Sequence, residues 1–176
     1  MKRLLAGAAF CAACLAAGGA GAAATIQFTP VDLPDVTPGF DLWQYEYSVS
    51  GNFVAFGGFN VLFSPTLYAQ LENPPPAINA DWFASTLEPD PGLPADGLYS
   101  ATALIGSPSL ADKFIVSFVW LGNGTPGAQP FEVFDDSFNI TESGRTRTPG
   151  QPVPEPGTLG LLAGALLLAR RLSAKL

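Results

Sequence analysis

The sequence alternates apolar and polar residues in short runs, and this period of two most constrains the fold. In segment 43–50, aromatic or branched residues at the odd positions are separated by polar residues at the even positions. Segments 59–63 and 99–105 have a similar pattern. Because successive side chains of a β-strand point to opposite faces, the pattern predicts strands that each bury one face.

Segment 113–121 is apolar at both sets of alternate positions, which predicts an interior strand with both faces covered. Shorter strands are predicted at 26–29, 131–134 and 138–141. The chain contains 19 Gly and 17 Pro, and many of them lie between the runs, as in turns. Many short strands at such spacing predict an all-β fold, an antiparallel two-layer β-sandwich over residues 25–142.

The charged residues exclude several functions. The chain has no His, which removes a Ser-His-Asp triad, an imidazole base and histidine metal ligands. Its 15 acidic residues outnumber its 8 basic residues, whereas nucleic-acid binding needs a basic surface. We therefore expect no nucleic-acid partner, no cofactor and no enzymatic activity.

The N-terminal segment 1–24 has the features of a secretory signal peptide, which predicts a signal helix ahead of the sandwich. A basic start is followed by an apolar stretch, Leu4–Ala17, and by small residues suited to a cleavage site, Ala22 and Ala24. The predicted mature chain begins at Thr25. A permanent membrane helix is the weaker alternative, because Ala and Gly contribute little apolar area.

The two cysteines, Cys11 and Cys14, both precede the predicted cleavage site. The mature chain therefore has no thiol, no disulfide and no cysteine nucleophile or metal ligand. A lipoprotein would use Cys14 as its lipidated residue, but Cys11 stands where a leucine is expected.

The C-terminal segment 153–176 contains three ordered elements. First comes a proline-rich tetrapeptide made of Val153, Pro154, Glu155 and Pro156. Next comes an apolar run that predicts a single transmembrane helix: Thr158, Leu159, Gly160, Leu161, Leu162, Ala163, Gly164, Ala165, Leu166, Leu167, Leu168 and Ala169. An arginine pair, Arg170 and Arg171, follows as a stop-transfer signal.

The physical properties of these elements suit a processing signal. As a helix, the apolar run is about 18 Å long against a hydrocarbon core of about 30 Å, which makes it a marginal anchor. Pro154 and Pro156 cannot continue a helix inward, and they hold the preceding residues extended. Glu155 then lies in extended chain at the membrane surface, where a protease can reach it.

This order of elements resembles the PEP-CTERM sorting signal, found on exported proteins of Gram-negative bacteria that make extracellular polysaccharide. The resemblance covers only segment 153–176. It implies a partner protease, exosortase, which recognises the Pro154–Pro156 motif and removes the helix. The same tail has been called an ice-binding protein C-terminal domain, a label that carries no indication of ice binding for this chain.

The charge distribution predicts the orientation in the membrane. Segment 25–157 holds three basic residues and all 15 acidic residues, whereas both ends of the chain are basic. Positive flanks stay in the cytoplasm, so the acidic middle is exported. We expect a protein that crosses the inner membrane, is anchored there transiently, and then reaches the cell surface or a biofilm matrix. Extracellular polysaccharide is a further candidate partner there.

The central domain offers only weak motifs for chemistry. Asp135, Asp136 and Asn139 have oxygens suited to calcium, without the spacing of a known calcium loop. Three carboxylates in a proline-rich segment are candidates for a glycosidase pair, and three tryptophans are candidates for stacking on sugars. The carboxylates are Glu88, Asp90 and Asp96, and the tryptophans are Trp43, Trp82 and Trp120.

The sequence therefore predicts a non-enzymatic component of the cell surface or polysaccharide matrix. The alternative is a small carbohydrate-binding protein or a hydrolase that acts on the matrix. Among the tryptophans, Trp82 is the best candidate for an exposed sugar-stacking residue, because it follows Asp81 in a proline-bounded segment. Segment 143–152 is polar and rich in turn residues, which predicts a linker to the membrane anchor.

Overall fold

The computed structural model describes residues 23–151, and within them the chain forms nine β-strands and no helix. The strands are β1 (Thr25–Asp32), β2 (Asp41–Ser50), β3 (Gly58–Phe63), β4 (Tyr68–Ala69), β5 (Trp82–Leu87), β6 (Gly97–Ala103), β7 (Phe114–Trp120), β8 (Pro130–Phe134) and β9 (Ile140–Arg145). The predicted sorting motif, transmembrane helix and arginine pair lie outside the described residues, as does the signal segment up to position 22.

The strands form two antiparallel sheets. One sheet has four strands in the order β1-β2-β7-β4, and the other has five in the order β5-β6-β3-β8-β9. Aromatic side chains join the sheets: Phe59 of β3 lies 5.1 Å from Phe114 of β7, measured between ring centroids. Phe63 lies 5.9 Å from Phe118 in the same way. The predicted all-β, two-layer antiparallel architecture is therefore confirmed for the central domain.

The core is formed by the inward face of each alternating strand. In β2, Tyr45 and Tyr47 are fully buried, while their polar neighbours lie on the outside. The ring of Tyr45 packs 4.8 Å from that of Phe118. The interior strand predicted at 113–121 is β7, which lies between β2 and β4. Its outward Val119 is also buried, although Ile115 and Ser117 are only half-buried.

Strand β5 was not predicted from the sequence. Its inward side chains are Trp82, Ala84 and Thr86, which do not form an evident apolar series. Its outward Phe83 and Leu87 are exposed, which obscures the usual alternation. Strand formation here depends on hydrogen bonding to the neighbouring β6 rather than on a local pattern.

The prediction that residues 143–152 form a linker is wrong for the first residues of that segment. Residues 143–145 belong to β9, and Arg147 then pairs in parallel with Gln27 of β1. The Arg147 N–H donates to Ile26 O at 3.1 Å, and the Phe28 N–H donates to Arg147 O at 2.9 Å. This segment joins the edge of one sheet to the edge of the other, so it belongs to the sandwich.

Thr146 fixes the crossing between the sheets. It is 2% exposed, and its N–H donates to Gln129 O at 2.8 Å. Its side-chain Oγ1 accepts from the Gln129 N–H, also at 2.8 Å. Two reciprocal hydrogen bonds therefore hold Thr146 to the loop that precedes β8.

Replacing Thr146 with valine is expected to lower the free energy of unfolding by about 1–3 kcal/mol, because the buried Gln129 N–H loses its acceptor. Urea unfolding of the purified chain, followed by circular dichroism, measures this change. Thr148→Val, at an exposed position two residues further on, is the matched control. Equal midpoints for the two variants would contradict the role given to Thr146.

Candidate ligand-binding face

The structure places Trp82 in the core, so its predicted exposure is wrong. The residue is 4% exposed, and its ring packs edge-on against Phe53 and Phe114 at 5.3 and 5.1 Å. Its indole N–H donates to Ser109 O at 2.8 Å. Trp120 is also buried, and the half-buried Trp43 donates to its neighbour Asp41 at 2.7 Å. Trp82 and Trp120 therefore offer no free ring face of the kind that a sugar needs, and Trp43 is partly packed against the core.

Asp135, the candidate calcium ligand, organises the turn between β8 and β9. Its Oδ1 accepts from the backbone N–H groups of Ser137 and Asn139, both at 2.9 Å. The Asn139 amide also donates to both carboxylate oxygens. Hydrogen bonds from the Asn139 backbone and side chain hold the pKa of Asp135 below its usual range. Its lone pairs are therefore used by the turn, and the described residues contain no cluster of three or more metal-ligating side chains.

Two of the three carboxylates considered for glycoside hydrolysis, Glu88 and Asp90, accept hydrogen bonds from backbone N–H groups. Glu88 accepts from the backbone N–H groups of Gln70 and Leu71, the latter at 2.9 Å. Asp90 accepts from the N–H groups of Gly92 and Leu93 at 2.7 and 3.2 Å. Carboxylates held by backbone donors in this way fasten a loop and favour a structural role over acid–base chemistry.

The outer face of the five-stranded sheet has an order that the sequence did not reveal. The strand register aligns one outward polar residue from each strand across the whole sheet. We call these residues the polar row: Ser85, Ser100, Asn60, Glu132 and Ser143. Four strand spacings separate its ends, so the row is about 19 Å long.

Apolar side chains lie on both sides of the polar row. On one side the register aligns Phe83, Thr102, Gly58, Phe134 and Ile140, which we call the aromatic flank. On the other side it aligns Leu87, Leu98 and Leu62, which we call the leucine flank. Phe83 and Leu87 are 60% and 58% exposed, so both flanks present apolar surface to solvent at β5.

Two further phenylalanines, Phe56 and Phe138, lie beside the aromatic flank and have unusual backbone conformations. Phe56 has φ of 67° and Phe138 has φ of 62°, in the left-handed region that bulky residues avoid. The Phe56 N–H donates to Ala103 O at 2.7 Å, which places Phe56 at the end of β6. The Phe138 ring stacks on Phe134 at 5.7 Å. Both side chains remain largely exposed, at 60% and 71%.

The outer face of the four-stranded sheet is different. Its outward residues on β1 and β2 are mostly polar, among them Gln27, Gln44 and Glu46. The Lys113 ammonium donates to Ser48 Oγ on this side. No aromatic ring lies among these outward residues of β1 and β2. Among the described strands, the combination of a polar row and exposed aromatic rings is therefore found on the five-stranded sheet.

The residues predicted for sorting are only partly within the described chain. Ala24, the last residue before the predicted signal cleavage, is 9% exposed and packs in the core. Its N–H donates to Glu142 Oε2 at 2.9 Å. Ala22, Val153–Pro156, Thr158–Ala169 and the arginine pair all lie outside the described residues. Within residues 23–151, no helix is long and apolar enough to cross a membrane.

Comparison with known proteins identifies no family for this chain. No protein-family model and no curated protein sequence matches the chain. Among solved structures, the second type II cohesin module of the adaptor scaffoldin ScaA of Acetivibrio cellulolyticus is 12% identical, with a TM-score of 0.40 over 78% of this chain and 96% of that one. A cohesin module from a family 33 glycoside hydrolase of Clostridium perfringens is also 12% identical, with a TM-score of 0.35 over 72% and 98%. Likenesses of this degree say nothing about ligand or activity.

Proposed function

We propose that this chain is an exported, non-enzymatic component of the cell surface or extracellular polysaccharide matrix. In this proposal, exosortase recognises Pro154–Pro156 and separates the domain from its membrane anchor. The observation that carries the proposal is the order of elements in segment 153–176, combined with a signal peptide and an acidic middle.

The positions of the two ends of the exported domain support a tail that anchors the domain at one place on its surface. Thr25, the predicted mature N-terminus, and Gln151, which precedes the tail motif, line one groove of about 660 Å³, together with Arg145. Both ends of the domain therefore lie in the same region of its surface. A tail that leaves at Gln151 attaches beside β9, at one edge of the five-stranded sheet.

The structure also favours a non-catalytic role over a hydrolase. Glu88 and Asp90 are hydrogen-bonded to backbone donors of the loops that they hold. The other acidic cluster, around Asp135, is used in the same way by its turn. A glycosidase instead needs two carboxyl groups that face each other across a substrate.

Substituting the tail motif is expected to leave an uncut precursor in the inner membrane. Glu155→Ala and Pro156→Ala change the extended motif, whereas Pro152→Ala changes a proline just outside it and is the matched control. Immunoblotting of fractionated cells, with a tag placed after Gly150, measures cutting and release. The host must carry exosortase.

Release of the two motif variants at the rate of the wild-type chain would contradict sorting by the motif. The chain would then be an ordinary tail-anchored protein. In a host without exosortase, the wild-type chain is itself expected to stay in the membrane, which separates processing by exosortase from cutting by other proteases.

A further inference from the structure

We propose that the outer face of the five-stranded sheet binds an extended, neutral polysaccharide chain. The chain lies along the polar row, and its sugar rings contact phenylalanines at the aromatic flank. This inference deepens the proposed function and rests on it, because such a polymer meets the domain only outside the cell.

The polar row has unused hydrogen-bonding capacity. Ser85, Ser100, Asn60 and Glu132 are half-buried, and in the described part of the chain none of their side chains bonds to another residue. A hydroxyl group donates and accepts, an amide does both, and a carboxylate accepts. Sugar hydroxyls are complementary to all three kinds of group, so a sugar chain can satisfy the whole row.

The order of polar and apolar residues on this face argues against a protein partner. A protein interface has an apolar centre and a polar rim. Here the polar row is central, and the apolar flanks, with Phe83 on one side and Leu87 on the other, lie outside it. A sugar chain fits the observed order, since its hydroxyl groups project from the ring edges and its C–H groups form apolar ring faces.

Charge narrows the class of polysaccharide. The exported part of the chain has only three basic residues, Lys113, Arg145 and Arg147, against 15 acidic ones. Lys113 is engaged on the opposite sheet with Ser48. On the binding face, Arg145 lies at the β9 edge, where its guanidinium donates to Ala128 O at 2.7 Å. Glu132 lies in the polar row itself with no cation among the described residues bonded to it, so a polyanion would be repelled at the centre of the row. An uncharged polysaccharide is therefore the class of polymer that this face suits best.

The backbone conformations of Phe56 and Phe138 support a ligand beside the aromatic flank. Strained backbone that keeps a bulky side chain exposed is concentrated at functional sites. The φ angles of Phe56 and Phe138 are both in the left-handed region, and neither ring is buried in the core. Phe138 covers Phe134 with one ring face, and its 71% exposure leaves surface on which a sugar ring can stack.

The test is native affinity electrophoresis of the full chain in mild detergent. The gels contain soluble xylan, galactomannan or hydroxyethyl cellulose as neutral probes, and alginate as the polyanion. We expect retardation by at least one neutral polymer and none by alginate. Phe83→Ala and Asn60→Ala are each expected to weaken binding by about tenfold. Gln44→Ala, on the outer face of the other sheet, is the control and should bind as the wild type does.

Phe56→Gly separates a binding role from a structural one. Glycine adopts a positive φ without strain, so this variant should bind more weakly while its melting temperature stays the same or rises. A fall in melting temperature together with a fall in binding would assign Phe56 to the fold and remove it from the proposed site.

Several outcomes overturn the inference. They are retardation by no neutral polymer, equal retardation by alginate, or a loss of binding in Gln44→Ala as large as in Asn60→Ala. A dimer in analytical ultracentrifugation that Phe83→Ala dissociates would instead assign the face to a second copy of the chain. Failure of binding in a chain that is cut and released normally removes this inference and leaves the proposed function intact.

Discussion

Raising the pH above 10 is expected to unfold the domain in one steep step. All four tyrosines of the chain, Tyr45, Tyr47, Tyr68 and Tyr99, are buried in the core. Burial raises the pKa of each one above its ordinary value, and the neighbouring Tyr68 raises that of Tyr45 further. An unfolded tyrosine ionises near pH 10.

The sign of the effect follows from proton binding. Above pH 10 the unfolded chain releases protons that the folded chain retains, so stability is complete below pH 10 and falls as the pH rises. Each tyrosine that stays protonated in the folded chain lowers the free energy of unfolding by about 1.4 kcal/mol per pH unit, and four together lower it by about 5.5 kcal/mol per pH unit. A domain with about 5–15 kcal/mol of stability is then unfolded within a few pH units.

Tyrosinate absorbance and far-ultraviolet circular dichroism, measured on the same samples, check this expectation. The two transitions should coincide. Gradual ionisation near pH 10 with an intact β-sheet spectrum would contradict it.

Tyr99→Phe is a useful companion variant for the alkaline titration. The Tyr99 hydroxyl is buried without a hydrogen-bond partner among the described residues. Its removal should preserve the fold, move the transition to higher pH and reduce its steepness by about a quarter.

Phe118→Asp is expected to leave the domain unfolded at neutral pH. Phe118 is fully buried, and its ring lies 4.8 Å from Tyr45 and 5.2 Å from Tyr68. Removing a buried phenylalanine costs about 3–5 kcal/mol, and an unpaired buried carboxylate adds several more. The sum is comparable to the whole stability of a domain of this size.

Circular dichroism and urea unfolding of the purified variants measure the effect. Ser50→Asp introduces the same charge at an exposed position of β2 and should unfold as the wild type does. Phe118→Leu removes only part of the ring and should lower stability by an intermediate amount. Equal stability of Phe118→Asp and Ser50→Asp would show that position 118 is not in the core.

The strands that bury aromatic residues at alternate positions could be predicted from the sequence. Tyr45 and Tyr47 are separated by a polar residue, and this local spacing alone indicates which side chains face inward. Trp82 could not be placed in the same way, because the proline-rich segment before it resembles a loop. Its burial depends on Phe53 and Phe114, which are far away in the chain and are brought to it by the sheets.

The sequence by itself determined the all-β class of the central domain, because alternation with a period of two is a local property of each strand. It also determined the expectation of export and sorting, since charge and apolar length act on the membrane without any fold. Only the tertiary structure decided the polar row, the burial of Trp82 and the inclusion of Thr146 in the sandwich. These features arise from the register between strands, and hydrogen bonds between residues distant in the chain set that register.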